Sequence, residues 1–202
     1  MKKYPAIALI ELSSVAAGIL TSDAMVKRSP ITMLKSGTVS HGNYLILVGG
    51  SVAAVEEAYA EGLAKGGDTV LDRIFLPDVH PQVHDSLLGM CRSCSGAALA
   101  IIETKTAATT IRAADAGIKG AQVDIVEMRL ADGLDGKAFT IVTGKVEDVE
   151  AAVEIAKAAV VNPDFWLRDT VIPNLNPAVA GQIAATTRFA QAEARHLQDG
   201  EV

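Results

Sequence analysis

Four soft metal ligands fall within fifteen residues of this chain: His80, His84, and the pair closing Cys91-Arg92-Ser93-Cys94. Zinc takes such sets of imidazole and thiolate, and a CxxC alone can do redox chemistry. The step from His84 to Cys91 is shorter than zinc modules use, so the plainer reading is a pair of linker thiols kept reduced. Glu11 and Glu103 form a second constellation, two carboxylates inside apolar runs and 92 positions apart. They invite an acid–base reading, but equivalent placement by duplication is a structural explanation, each carboxylate satisfying local donors. Two bends, Ser40-His41-Gly42-Asn43 and Leu134-Asp135-Gly136-Lys137, put a polar side chain beside a glycine that can turn the chain. No nucleophile elbow, phosphate loop or dinucleotide fingerprint is present, so the sequence gives no reason to expect an enzyme.

The elements that position these residues follow from an internal repeat. AIALIEL (6–12) matches ALAIIET (98–104), and SDAMVK (22–27) matches ADAGIK (114–119). GGSVAAVEEA (49–58) answers TGKVEDVEAA (143–152), and LPDVHP (76–81) answers IPNLNP (172–177). The offset drifts from 92 through 94 to 96, as small loop insertions in a constant element order would produce. Each unit reads as an apolar strand (6–12; 98–104) and an amphipathic helix (about 14–28; 106–120). A hairpin follows (31–40 with 44–48; 123–132 with 139–142), then a second helix (52–65; 146–160) and a fourth strand (69–76; 166–172). Ser51 caps the second helix, Gly66-Gly67 stops it, and Glu147 and Asp148 suit the start of its counterpart. A short helix begins near Pro81 or Pro177. The fold class is α+β: two tandem ferredoxin-like units of β-α-β-β-α-β order, with a mostly antiparallel sheet and both long helices on one face. The other face is left for solvent or a neighbouring layer. The divisions are 1–90 and 97–187 for the two domains, 91–96 for the linker and 188–202 for a polar tail.

Composition narrows the partners. Half of the 202 residues are hydrophobic but only 4% are aromatic, so the core is Ala, Val, Ile and Leu packing. The net charge is −6 and the cations are scattered, which argues against nucleic acid. The apolar run after Met1-Lys2-Lys3 is broken by Glu11, a poor fit to a signal peptide, and no stretch is long enough to cross a bilayer. Two cysteines suit a reducing compartment, so the expected location is cytoplasmic.

LIEL with SDAMVK, the glycine turn before YLILVGGSVAAVEEA, and LPDVHP together resemble the bacterial microcompartment shell domain. The second copy carries IIET, ADAGIK, GKAFTIVTGKVEDVEAA and IPNLNP in the same order. The resemblance spans roughly 5–88 and 96–185, and five motifs in register twice over make it specific. The strand-first order in both copies is that of the unpermuted tandem class, similar to the propanediol-utilisation T-type shell proteins.

The resemblance implies a homotrimer that imitates a hexamer, since three tandem chains supply six domains. It implies a structural role in the shell facet, lateral contact with other shell proteins, and passage of small metabolites through a central pore. Ser40, His41 and Gly42, with Leu134, Asp135 and Gly136, correspond to the pore-lining loops, a polar ring whose permeability is expected to change between pH 5 and 8. Lys27 and Lys119 match the lysine of the tile edge. An arginine expected after the proline of the last strand is missing, with Asp78 and Asn174 in its place. Some relatives hold an iron–sulfur cluster at the axis through a cysteine. Ser40 stands at that position, and an alcohol is a poor ligand for iron of this kind. No cofactor is therefore expected, and the alternative is an electron-transfer shell component carrying zinc or an iron–sulfur cluster on Cys91 and Cys94.

Overall fold

The computed structural model describes residues 6–94 and 96–195. The repeat appears as two four-stranded antiparallel sheets. In the first, β1 (Ala6–Leu12) lies between β3 (Tyr44–Gly50) and β4 (Val70–Leu76), and β2 (Met33–Thr38) pairs with β3 at the edge. Helices α1 (Val15–Arg28) and α2 (Val52–Gly66) cross one face, and α3 (Pro81–Leu87) closes the unit. In the second, β5 (Ala98–Thr104), β6 (Val123–Leu130), β7 (Ala138–Gly144) and β8 (Trp166–Pro173) repeat that order. Helices α4 (Ala107–Gly120), α5 (Val146–Ala158) and α6 (Pro177–Ala185) complete it. The first strand of each unit sits inside its sheet, so it pairs on both sides.

Helix starts are fixed locally. The Ser14, Ser51 and Thr106 side chains each accept from a backbone N–H in the first turn, which satisfies a donor the helix cannot. Lys145, at the start of α5, makes no such cap, and Glu147 and Asp148 stand in its first turn instead. The β2 and β6 strands end earlier than the sequence suggests. Positive φ at His41 and Gly42 breaks the first hairpin, and positive φ at Ala131 and Gly133 breaks the second.

Alternation along β1 divides the core. Ala8, Ile10 and Leu12 pack under the long helices with Met25, Val55 and Ala58. Ile7 and Leu9 point the other way, with Leu45 and Leu47, into a cluster holding Val83 and Leu87 of α3 and Ile125 and Met128 of the second unit. Of the two covers expected for the face opposite the long helices, solvent or a neighbouring layer, the structure shows the layer: all seven β1 residues are buried. The second face of the other sheet, at Leu99, Val126 and Ile141, is covered by Leu175, Ile183 of α6 and the Cys94 side chain.

The segment between the units is tied down near both ends, at Arg92 and at Gly96, whose N–H donates to Thr143 Oγ1 at 3.1 Å. Arg92 N–H donates to the Val126 carbonyl at 2.8 Å, and its guanidinium meets Asp85 at 3.1 Å. Part of the polar tail, 196–202, lies outside the described residues. Before that point Arg195 bonds back to Gly181 and Gln182 of α6.

Gly18 marks the tightest helix–sheet approach, where an added Cβ would lie 2.3 Å from the Tyr44 ring. Helix propensity alone would make Gly18→Ala stabilising by up to about 1 kcal/mol. The clash with a stiff ring should reverse the sign, at about 1–3 kcal/mol of overpacking. The melting temperature of Gly18→Ala should fall; a rise would show that Tyr44 yields freely.

Candidate functional site

The two bends singled out in the sequence come together. His41 Nε2 lies 2.9 Å from Asp135 Oδ1, and the Gly133 N–H donates to Ser40 Oγ at 3.0 Å. His41, Gly42, Asp135 and Gly136 all have φ between 56° and 79°. Glycine adopts that conformation at least cost, and space is not the constraint at Gly42 or Gly136, where nothing lies within 4 Å of an added Cβ. Within one chain the bends thus form one polar, exposed cluster, with the Leu134 carbonyl accepting from Lys137 N–H to close the second turn.

The second site is the junction between the units, and Glu11 serves donors on both sides of it. It hydrogen-bonds Asn43 in its own unit, as expected, and reaches into the other unit as well. Its Oε2 accepts from the Ala107 N–H at 3.0 Å, at the first turn of α4 in the other unit. Beside it Asp72 accepts from the hydroxyls of Thr106 and Thr109, the latter at 2.8 Å. At the far end of α4, Asp115 accepts from His80 N–H at 2.8 Å and pairs with Lys119 at 2.6 Å, while Lys119 also donates to the Asp78 carbonyl. Gln82 of α3 bonds Asp124 and the Ile125 N–H of β6. Glu103, the counterpart of Glu11, is exposed.

Burial is the main cause that lifts Glu11 to about 7. The Ala107 N–H opposes it, the neighbouring Asp72 charge adds to it, and Asn43 opposes it. His80 uses its Nδ1 to accept from Gln82 N–H, and burial lowers its pKa, so the neutral ring serves as a helix cap. Burial likewise pushes both thiols up, with Glu127 adding to the effect at Cys91. Cys91, Cys94, His80 and His84 are not brought together: among the described residues no three His, Cys, Asp or Glu side chains gather as a metal site. Ser40 offers a hydroxyl already used by Gly133, so these residues do not fit an iron–sulfur cluster at the bend either.

The lysines differ in setting. Lys119 is bonded at the rim of the junction with its side chain 39% exposed, whereas Lys27 is more exposed and, among the described residues, pairs with Asp23 at 2.6 Å. The same asymmetry runs along the whole helix pair. Ile111 and Ile118 of α4 are 0% and 7% exposed, while their counterparts Ile19 and Val26 on α1 are 57% and 46% exposed.

The BMC domain family matches residues 6–79 and again 98–175. The chain belongs to the BMC domain family. It is 35% identical over 168 residues to the bacterial microcompartment shell protein PduT of Citrobacter freundii, covering 83% of this chain and 91% of that one. It is 26% identical to the carboxysome assembly protein CcmO of a Synechocystis strain, over 74% of this chain and 54% of that relative. Among solved structures, a microcompartment protein from Desulfitobacterium hafniense DCB matches with a TM-score of 0.78 and 36% identity. That match covers 87% of this chain and 98% of the other. A fused permuted hexameric shell protein of the RMM microcompartment shares the fold at 17% identity and a TM-score of 0.57, covering 78% and 86%. These two BMC domains therefore carry the α+β, strand-first architecture that the repeat implied, and no comparison supports an electron-transfer role.

The junction makes a prediction about pH. Between the ordinary carboxyl value of 4.5 and about 7, the folded chain keeps a proton on Glu11 that the unfolded chain has released. Stability should fall through that window as pH rises, by about 3 kcal/mol, and level off above it. Glu11→Gln keeps an acceptor for Ala107 and removes the titration. Its melting temperature relative to wild type should climb from pH 5 to pH 8; parallel profiles would refute the assignment.

Proposed function

We propose that this protein is a structural tile of a bacterial microcompartment shell facet, three chains closing into a ring of six BMC domains around a pore. It acts in the shell rather than as an enzyme. The observation that carries the reading is the unmatched half-junction at each end of the chain. Within the chain, β1, β4 and the loop before α3 receive α4, burying Ile111, Ile118 and Asp115. At one end of the chain α1 presents Ile19, Leu20 and Val26, each about half exposed, beside the Asp23–Lys27 pair. At the other, Glu103, Arg168 and Thr170 are exposed where Glu11 and Ile74 are buried and Asp72 is half-buried.

Repeating the junction between chains fills both halves: Glu103 meets the first turn of the next chain's α1, and burying Ile19 and Val26 contributes about 1.5–3 kcal/mol each. Such a head-to-tail contact closes into a ring when its rotation divides a full turn. The hexameric relative supports six domains as the closing number.

In that ring three His41–Asp135 clusters lie around the axis and line a route for small metabolites. Lys27 and Lys119, on equivalent helix ends, lie along the outer edge where tiles meet other shell proteins.

Light scattering of the purified protein should give three times the 21.0 kDa chain mass, and Ile19→Asp should give monomers. A monomeric wild type, or a trimer unmoved by Ile19→Asp, would overturn the ring. The pore is tested by conductance across planar bilayers carrying the protein. Asp135→Ala should reduce cation preference, and His41→Ala should change the conductance by removing the partner of Asp135. Conductance indifferent to both changes would count against the pore.

A further inference from the structure

A half-enclosed cavity of about 350 Å³ lies where one face of the first sheet meets β6 and the tail, with Val39 and Asp132 in its lining placing it next to the His41 and Asp135 bends. Its floor is apolar. The register pairs Leu9 with Leu47, Leu47 with Lys35, and Leu45 with Gly37, so all five share one face of the sheet. Met128 of β6 closes the opposite wall.

Its rim is cationic. Lys35, Arg129 and Arg188 line it against the single carboxylate of Asp132, in a chain whose net charge is −6. The Arg129 guanidinium lies over the Phe139 ring, 5.5 Å from its centroid, and makes only long hydrogen bonds. It reaches Thr187 Oγ1 at 3.4 Å and the Asp132 carbonyl at 3.5 Å, and among the described residues its buried Nε finds no hydrogen-bond partner. The Ser86 hydroxyl, on the same cavity and in a residue only 4% exposed, also lacks a partner. Buried donors of this kind are rarely left unsatisfied without a reason.

We propose that this cavity binds a small organic monoanion, a carboxylate carrying a short aliphatic tail. The carboxylate supplies the acceptors that Arg129 and Ser86 lack, and charge-assisted bonds to a guanidinium are the stronger kind. The tail lies on the leucine floor. A volume near the lower end of ligand sites limits the tail to a few carbons. A cation of the same shape would meet three positive side chains. The inference stands whether or not the chain forms a ring.

The test is calorimetric titration of the purified full chain with sodium butyrate, with n-butylamine and n-butanol as controls and saturation-transfer NMR as a second readout. Butyrate should bind saturably at one site per chain, and n-butylamine should neither bind there nor compete. Arg129→Gln should weaken butyrate at least tenfold. Gly37→Leu provides a second variant that leaves the charges alone: a Cβ at Gly37 meets nothing within 4 Å, so the new side chain grows into the tail's space. It too should weaken butyrate at least tenfold, and it decides the matter if Arg129→Gln does not fold. Absence of saturable butyrate binding, equal binding of n-butylamine, or an affinity unchanged in a folded variant would each overturn the proposal.

Discussion

A helix that starts at the edge of another domain leaves backbone N–H groups pointing into a region water cannot reach. In this chain the first turn of α4 is completed from outside its own unit: Glu11 takes the Ala107 N–H, and Asp72 takes the hydroxyls of Thr106 and Thr109. Acidic groups there also meet the favourable end of the helix dipole. Everything distinctive about the architecture depends on this contact. It fixes where α4 lies on β1 and β4. That placement sets the approach of β6 to α3, and it brings the bend at His41 to the bend at Asp135. A carboxyl buried in such a place is costly to ionise, which is why its titration is displaced so far.

Duplication gave the chain two copies of each half of that contact, and a single chain can use only one of each. The unused halves explain why α1 carries two apolar faces. Gly18, Thr21 and Met25 pack inward, as the helix of a lone domain requires. Ile19, Leu20 and Val26 have no partner in their own unit and would be an aggregation hazard on a free protein. The second copy has drifted where the first has kept acid: Arg168 stands across from Glu103 as Asp72 stands across from Glu11. The two kinds of junction in a closed ring therefore share shape but differ in charge.

Much of this was legible in the residues. The drifting repeat placed every strand and long helix, because apolar period, serine and threonine caps and glycine stops agree at each boundary. The two bends were marked by their glycines, which take positive φ there. What could not be read were contacts made across the domain boundary. Glu11 looked like one of a matched pair, yet one copy is buried and the other exposed, a difference set by which neighbour covers it. The His and Cys residues looked like a ligand set. His80 is instead taken up in capping α3, and Cys94 packs as an apolar side chain against the second sheet. Spacing along a chain says nothing about such competing uses.

The central claim is that one interface is used twice, inside the chain and between chains, and electron cryomicroscopy of the purified protein tests it most directly. The account predicts a ring of six similar domains in three chains, with the Glu103 carboxyl seated against the first turn of a neighbour's α1 and Ile19 buried beneath that neighbour's β8. A particle in which α1 faces solvent on the outer rim, or in which the His41 and Asp135 bends lie away from the symmetry axis, would contradict it.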